Sequence, residues 1–138
     1  MRHFKLRGSV LVLIGIDMVS KYFFYNFKYL NDTILIRPVL NKGISRSLPV
    51  PFILILLISV LGIWAFIWLF ITKKIHRLIA AALISGTTGN LIDRVILWGV
   101  RDFININILN FPIFNFADIM LCLGVWTRIL VVILEKKK

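Results

Sequence analysis

Residues 86–94 read Gly-Thr-Thr-Gly-Asn-Leu-Ile-Asp-Arg, residues 100–104 read Val-Arg-Asp-Phe-Ile, and residues 111–118 read Phe-Pro-Ile-Phe-Asn-Phe-Ala-Asp. The whole chain holds six acidic residues, and three of them, Asp93, Asp102 and Asp118, fall in this stretch. The surroundings are strongly apolar, with a mean hydropathy of +0.91. Carboxylates are expensive in such a setting, which marks these three as functional candidates.

The rest of the chain explains why the setting is apolar. A length of 138 residues gives the expectation of one domain, and 59% hydrophobic against 17% charged is not a soluble composition. A net charge of +11 raises the question of nucleic acid. The basic residues sit instead in short runs beside apolar stretches, as membrane topology requires, so no nucleic-acid partner is expected. The single cysteine, Cys122, excludes an intrachain disulfide. His3 and His76 have no Cys or carboxylate pair beside them, so neither a metal nor a cofactor is expected.

Working outward, four apolar segments are long enough to span a bilayer: about 9–27, 52–71, 77–98 and 114–134. The predicted architecture is an all-α membrane protein, a four-transmembrane-helix bundle. Two longer connections, about 28–51 and 99–113, carry strand signals. Residues 33–40 are rich in β-branched side chains and include Pro38, the mark of an edge strand. Ile104-Asn105-Ile106-Asn107-Ile108 alternates with period two. An open sheet is forbidden in lipid, so this small β-structure belongs at the water boundary or against the bundle. Lys and Arg are densest before the first helix, between the second and third, and after the fourth. That distribution puts both termini on the cytoplasmic side of a multi-pass protein and both long connections outside.

Asp17 and Lys21 are four residues apart on the first helix, so they pair within the membrane. The pair either packs that helix or braces a polar site nearby. Asn90, Asp93 and Arg94 share one face near the outer end of the third helix, and Gly86 and Gly89 permit close helix approach. Asp118 lies about one turn into the fourth helix, which runs back, and Asp102 lies on the connection between them. All three acids are expected to converge near the outer face. Two adjacent carboxylates in a medium of low dielectric share a proton, so one acts as base and the other as acid at the same pH. That is what activation of water against an amide requires. A structural reading also stands. Asn115 and Asp118 have the spacing of a capping box, Asp93 could pair with Arg94, and Asp102 could be a solvated loop residue.

Five segments in order resemble the lipoprotein signal peptidases (signal peptidase II), bacterial membrane aspartyl proteases. They are Asp17-Met-Val-Ser-Lys21, Asn41-Lys-Gly43-Ile-Ser, Gly89-Asn90-Leu-Ile-Asp93-Arg94, Val100-Arg-Asp102-Phe-Ile, and Phe111-Pro-Ile-Phe-Asn115-Phe-Ala-Asp118. The resemblance implies four transmembrane helices with a small extracytoplasmic β-structure in the bacterial cytoplasmic (inner) membrane. It implies Asp102 and Asp118 as the catalytic pair, without metal or cofactor. It implies Asp17, Lys21, Asn41, Gly43, Asn90, Asp93, Arg94 and Asn115 as supporting or substrate-contacting residues. The substrates would be prolipoproteins whose cysteine carries a diacylglyceryl group, cut just before that cysteine by a monomer among membrane lipids. The chain departs from the family at Arg46, where an aromatic residue is usual, and at Ser85 and Thr87, where Gly and Ala are. Arg46 is expected to tune substrate binding. The competing readings are a small transporter subunit with Asp17, Asp93 and Asp118 as an ion relay, and an inactive lipoprotein-binding homologue.

Overall fold

The computed structural model describes residues 2–26, 35–43, 50–108 and 111–137. Four helices and two strands follow in the order α1 (Arg2–Asn26), β1 (Ile36–Asn41), α2 (Phe52–Ile71), α3 (Arg77–Leu97), β2 (Val100–Ile104) and α4 (Phe116–Glu135). α2 has the expected bounds. α1 starts seven residues before the expected Ser9, because Phe4, Lys5, Leu6 and Arg7 include no helix breaker and Leu6 is buried in the core. α4 starts two residues later than expected, because Phe114 is held in a β-bridge to Ile104 and Asn115 serves as the cap.

α1, α2 and α4 are long and apolar enough to cross a membrane. Most of their surface is uncovered, with Leu11, Val19, Leu61, Trp64, Leu123 and Trp126 among the exposed side chains. α3 falls short of that hydropathy because it carries Ser85, Thr87, Thr88, Asn90, Asp93 and Arg94. It packs against all three other helices, which shield those groups from lipid. The molecule thus has an apolar half and a polar half. Leu6, Phe70, Ile75, Ile79, Ala80, Ala81, Leu83 and Ile84 form the apolar core near the α2–α3 turn. Further along α3 the buried residues become Ser85, Asn90 and Asp93.

Small residues bring α3 and α4 together. A methyl group added at Gly86 would lie 2.6 Å from the Ala117 carbonyl oxygen and 2.8 Å from Leu121 Cγ. Gly86→Ala is expected to cost about 1–3 kcal/mol through overpacking against rigid backbone. Gly8→Ala, with nothing within 4 Å, is expected to gain up to about 1 kcal/mol from helix propensity. Thermal unfolding in detergent checks the contrast, and equal melting temperatures for the two variants would refute the close-approach argument.

The sheet consists of β1 and β2, antiparallel, with Val39 opposite Asp102, Leu40 opposite Arg101 and Asn41 opposite Val100. The register is irregular between Ile36 and Val39, around Pro38, which has no N–H to give the ladder. The alternation at residues 104–108 does not form the expected strand. β2 ends at Ile104, the Asn105 N–H goes to the Leu35 carbonyl, and Asn107 adopts a left-handed conformation at φ 48°. The edge-strand expectation over 33–40 is met by β1 from Ile36, and its first two residues lie outside the described residues.

Candidate active site

α4 begins with a reciprocal cap. The Asp118 N–H donates to Asn115 Oδ1 at 3.1 Å, and the Asn115 N–H donates to Asp118 Oδ2 at 3.1 Å. The capping reading is therefore correct as geometry. It also aims Asp118 Oδ1 away from the cap, where it accepts from Asn90 Nδ2 at 2.8 Å. A carboxylate that caps its own helix is fixed in one rotamer, which is what a catalytic group needs.

Asp102 is reached from two directions. Asn115 Nδ2 donates to its Oδ1 at 2.7 Å, and Asn41 Nδ2 donates to its Oδ2 at 3.0 Å. Asn41 is itself oriented by the Gly43 N–H, which donates to its Oδ1 at 3.1 Å in an Asx turn. Asn115 and Asn90 join the two carboxylates, since Asn115 Nδ2 also donates to Asn90 Oδ1 at 3.1 Å. Asp102 is 3% exposed, so it is not a solvated loop residue. Burial, and then the charge of Asp118, push its carboxyl up to about 6, against the lowering hydrogen bonds from Asn41 and Asn115.

Both carboxylates open on one cavity of about 460 Å³. Asn41, Asp102 and Asp118 supply its polar atoms, and Phe111, Ile113, Ile119 and Leu123 line much of the remainder. It is an apolar groove with two acids in its wall.

The remaining predicted residues divide into a second group. Asp17 and Lys21 pair at 2.8 Å, both fully buried. Asp17 Oδ1 accepts the Ala117 N–H at 2.9 Å, and Lys21 Nζ donates to Asn90 Oδ1 at 3.0 Å. The pair thus braces the polar site, and both sequence alternatives hold, since it packs α1 onto α4 as well. Asp93 lies at the same end of the bundle as Asp102 and Asp118, with Arg94 close to all three, but it does not line the cavity. It lies against α1 and the start of β2, 3.7 Å from Lys21 Nζ and 2.7 Å from Arg101 Nη2. Nor does it pair with Arg94, which donates to the Asn90 carbonyl at 3.4 Å. Arg101 is the residue that sequence reasoning missed. Arg46 lies outside the described residues, within 44–49. Among the described residues no three His, Cys, Asp or Glu side chains are grouped to hold a metal ion.

Comparison with known proteins bears on the whole of this arrangement. A family model described as signal peptidase (SPase) II matches residues 9–134. The lipoprotein signal peptidase of Brevibacillus brevis is 31% identical, over 92% of this chain and 93% of its own. That of Blochmanniella pennsylvanica is 27% identical, over 85% of this chain and 81% of its own. A bacterial membrane enzyme solved by the in meso method at 2.3 Å superposes with a TM-score of 0.78 at 26% identity, covering 97% of this chain and 90% of that one. A second such structure, at 1.9 Å, gives 0.77 at 26% identity, over 94% of this chain and 92% of the other. With the family model spanning nearly the whole chain, the protein belongs to the signal peptidase II family of membrane peptidases.

Proposed function

We propose that this protein is a two-aspartate endopeptidase that removes the signal peptide from diacylglyceryl-modified prolipoproteins, cutting before the lipidated cysteine. The observation that carries the reading is that Asp102 and Asp118, sixteen positions apart in the chain, open on one apolar cavity and are linked through Asn115 and Asn90. Asp102 is the more buried of the two and holds the shared proton. Ionised Asp118 takes a proton from water as the oxygen adds to the scissile carbonyl. Asp102 gives its proton to the developing oxyanion and recovers one as the tetrahedral intermediate collapses. Asp118 returns its proton to the leaving amine, and the pair regains its starting state. Asn41, Gly43, Asn90 and Asn115 hold the two carboxylates, while Asp17 and Lys21 hold Asn90 and the start of α4. Arg94 lies beside the acids and contributes positive charge there.

The apolar cavity supports this substrate class. Each buried CH₂ of an acyl chain contributes about 0.8 kcal/mol, so two chains anchor a substrate at an apolar wall open to the bilayer. The chain forms a single membrane domain of four spans, with α3 as the span shielded by its neighbours. Both termini are cytoplasmic, with the site at the outer face of the bacterial inner membrane, an orientation that the Lys and Arg distribution supports. It acts as a monomer among lipids, without nucleic acid. In the test, purified protein cleaves a synthetic precursor peptide whose cysteine bears S-diacylglyceryl and leaves the unlipidated peptide intact. Equal cleavage of both would remove the lipid from the recognition.

The proton assignment gives a pH dependence. The raised value means that Asp102 stays protonated up to about pH 6 and loses its proton above. kcat/KM is expected to fall by about tenfold per pH unit beyond an alkaline limb near that value, because it reports the free enzyme. The limb in kcat lies higher, since bound substrate excludes water and further disfavours the charged form. A kcat/KM profile that is flat from about pH 5 to 8 would refute Asp102 as the proton carrier.

A further inference from the structure

Arg101 precedes Asp102 on β2, and the strand sends their side chains to opposite faces. Asp102 points to Asn41 and Asn115, whereas Arg101 points to α3. There Asp93, 1% exposed, takes four hydrogen bonds from that single residue. The Arg101 N–H reaches Asp93 Oδ2 at 2.9 Å. Nη2 reaches Oδ1 at 2.7 Å, and Nε lies 3.3 Å from Oδ1 and 3.2 Å from Oδ2. Backbone and guanidinium are clamped to one carboxylate eight residues earlier, across the helix end where Trp98 is left-handed at φ 56°.

The sheet needs such a clamp. It has two strands, β2 is five residues long, and the ladder is irregular between Ile36 and Val39. A two-stranded ribbon is marginal in isolation, and a slip of one residue turns every side chain to the other face. Such a slip would take Asp102 out of the cavity. The hydrogen bonds from Asn41 and Asn115 hold the Asp102 carboxylate but do not fix the strand's register. Main-chain hydrogen bonds join Phe103 and Ile104 to Phe114 beyond Asp102, and the Arg101 clamp fixes the strand before it, because it ties main chain as well as side chain to α3.

We propose that Arg101, acting through Asp93, is a positioning residue for the peptidase reaction, setting β2 so that Asp102 faces Asp118. The inference rests on Asp102 belonging to the catalytic pair. Neither Arg101 nor Asp93 lines the cavity, so substrate affinity should be spared while turnover is not.

The test uses the full chain in detergent and the S-diacylglyceryl peptide. In Arg101→Met, kcat is expected to fall by roughly ten- to a hundredfold with KM within about threefold of wild type, the pattern of misplaced catalytic atoms. Arg101→Lys keeps the charge but loses the fork, so it should recover only part of the loss. The double variant Asp93→Asn/Arg101→Gln leaves no unpaired buried charge there. It should fold with a melting temperature near wild type and still show the kcat loss, which decides the matter should Arg101→Met not fold. If this double variant turns over at the wild-type rate, or if folded Arg101→Met does, the clamp is only structural and the proposal is wrong. Asp102→Asn in the same assay separates the two ideas. An active Asp102→Asn overturns the aspartate pair itself, whereas an inactive one beside fully active Arg101 variants overturns only the positioning.

Discussion

Asp118→Asn is expected to lower kcat by roughly two to four powers of ten. Stability should change by only about 1 kcal/mol, the usual scale of a helix cap. The variant side chain has nearly the same shape and keeps one oxygen. That oxygen can accept from the Asn115 N–H or from Asn90, but no longer from both. A pure capping role therefore predicts near-normal turnover with slightly lower stability, and the catalytic role predicts the reverse weighting. Asp102→Asn should behave alike. The double variant should be little worse than either single, because groups that act as one unit are not additive. Initial rates on the lipidated peptide, paired with thermal unfolding of the same preparations, decide between the roles. Retention of more than about a tenth of the wild-type rate by either single variant, a loss under about 1.4 kcal/mol, would exclude the two-aspartate mechanism.

How much of this was legible beforehand depends on the range of the interaction. Asp17 and Lys21 were readable because i and i+4 on a helix must meet, and they pair at 2.8 Å. The capping box at Asn115 and Asp118 was readable for the same reason. Spacing alone did not pair the acids; the resemblance did, by naming Asp102 and Asp118. Asp93, Asp102 and Asp118 looked equivalent because each sits near the same end of the bundle. Local backbone geometry separates them. α3 ends with Trp98 left-handed, and the chain reverses into β2, which brings Arg101 rather than Asp102 against Asp93. No periodicity in the sequence encodes that reversal, so Arg101 passed unnoticed as the variable position of a motif. The asparagines show the same limit. Asn90 and Asn115 were named by resemblance, but their exchange of hydrogen bonds between two carboxylates depends on the approach of α3 to α4.

Lys21 is where the buried charges are most exposed to test. It is fully buried, 2.8 Å from Asp17 Oδ2 and 3.7 Å from Asp93 Oδ2, and it donates to Asn90 Oδ1 at 3.0 Å. Asp17 Oδ2 has no further hydrogen bond among the described residues, and the closest atom to a methyl group added at Gly89 would be that same oxygen. The carboxylate is packed tightly against α3 at Gly89, which leaves little room for it to rearrange alone. Lys21→Met keeps the length of the side chain and removes its charge, so it is expected to cost about 3–5 kcal/mol by leaving a buried anion uncompensated. Asp17→Asn/Lys21→Met should recover most of that loss. The amide oxygen can still accept the Ala117 N–H, and Asp93 keeps Arg101. Turnover should not recover with stability. Asn90 would have lost the cation on its carbonyl, leaving Asn115 Nδ2 as the remaining donor there and loosening the amide that reaches Asp118. A folded double variant with wild-type kcat would show that Lys21 serves the fold alone. A Lys21→Met single variant within about 1 kcal/mol of wild type would mean that the core tolerates the unpaired acid, against the desolvation argument on which the reading of this cluster depends.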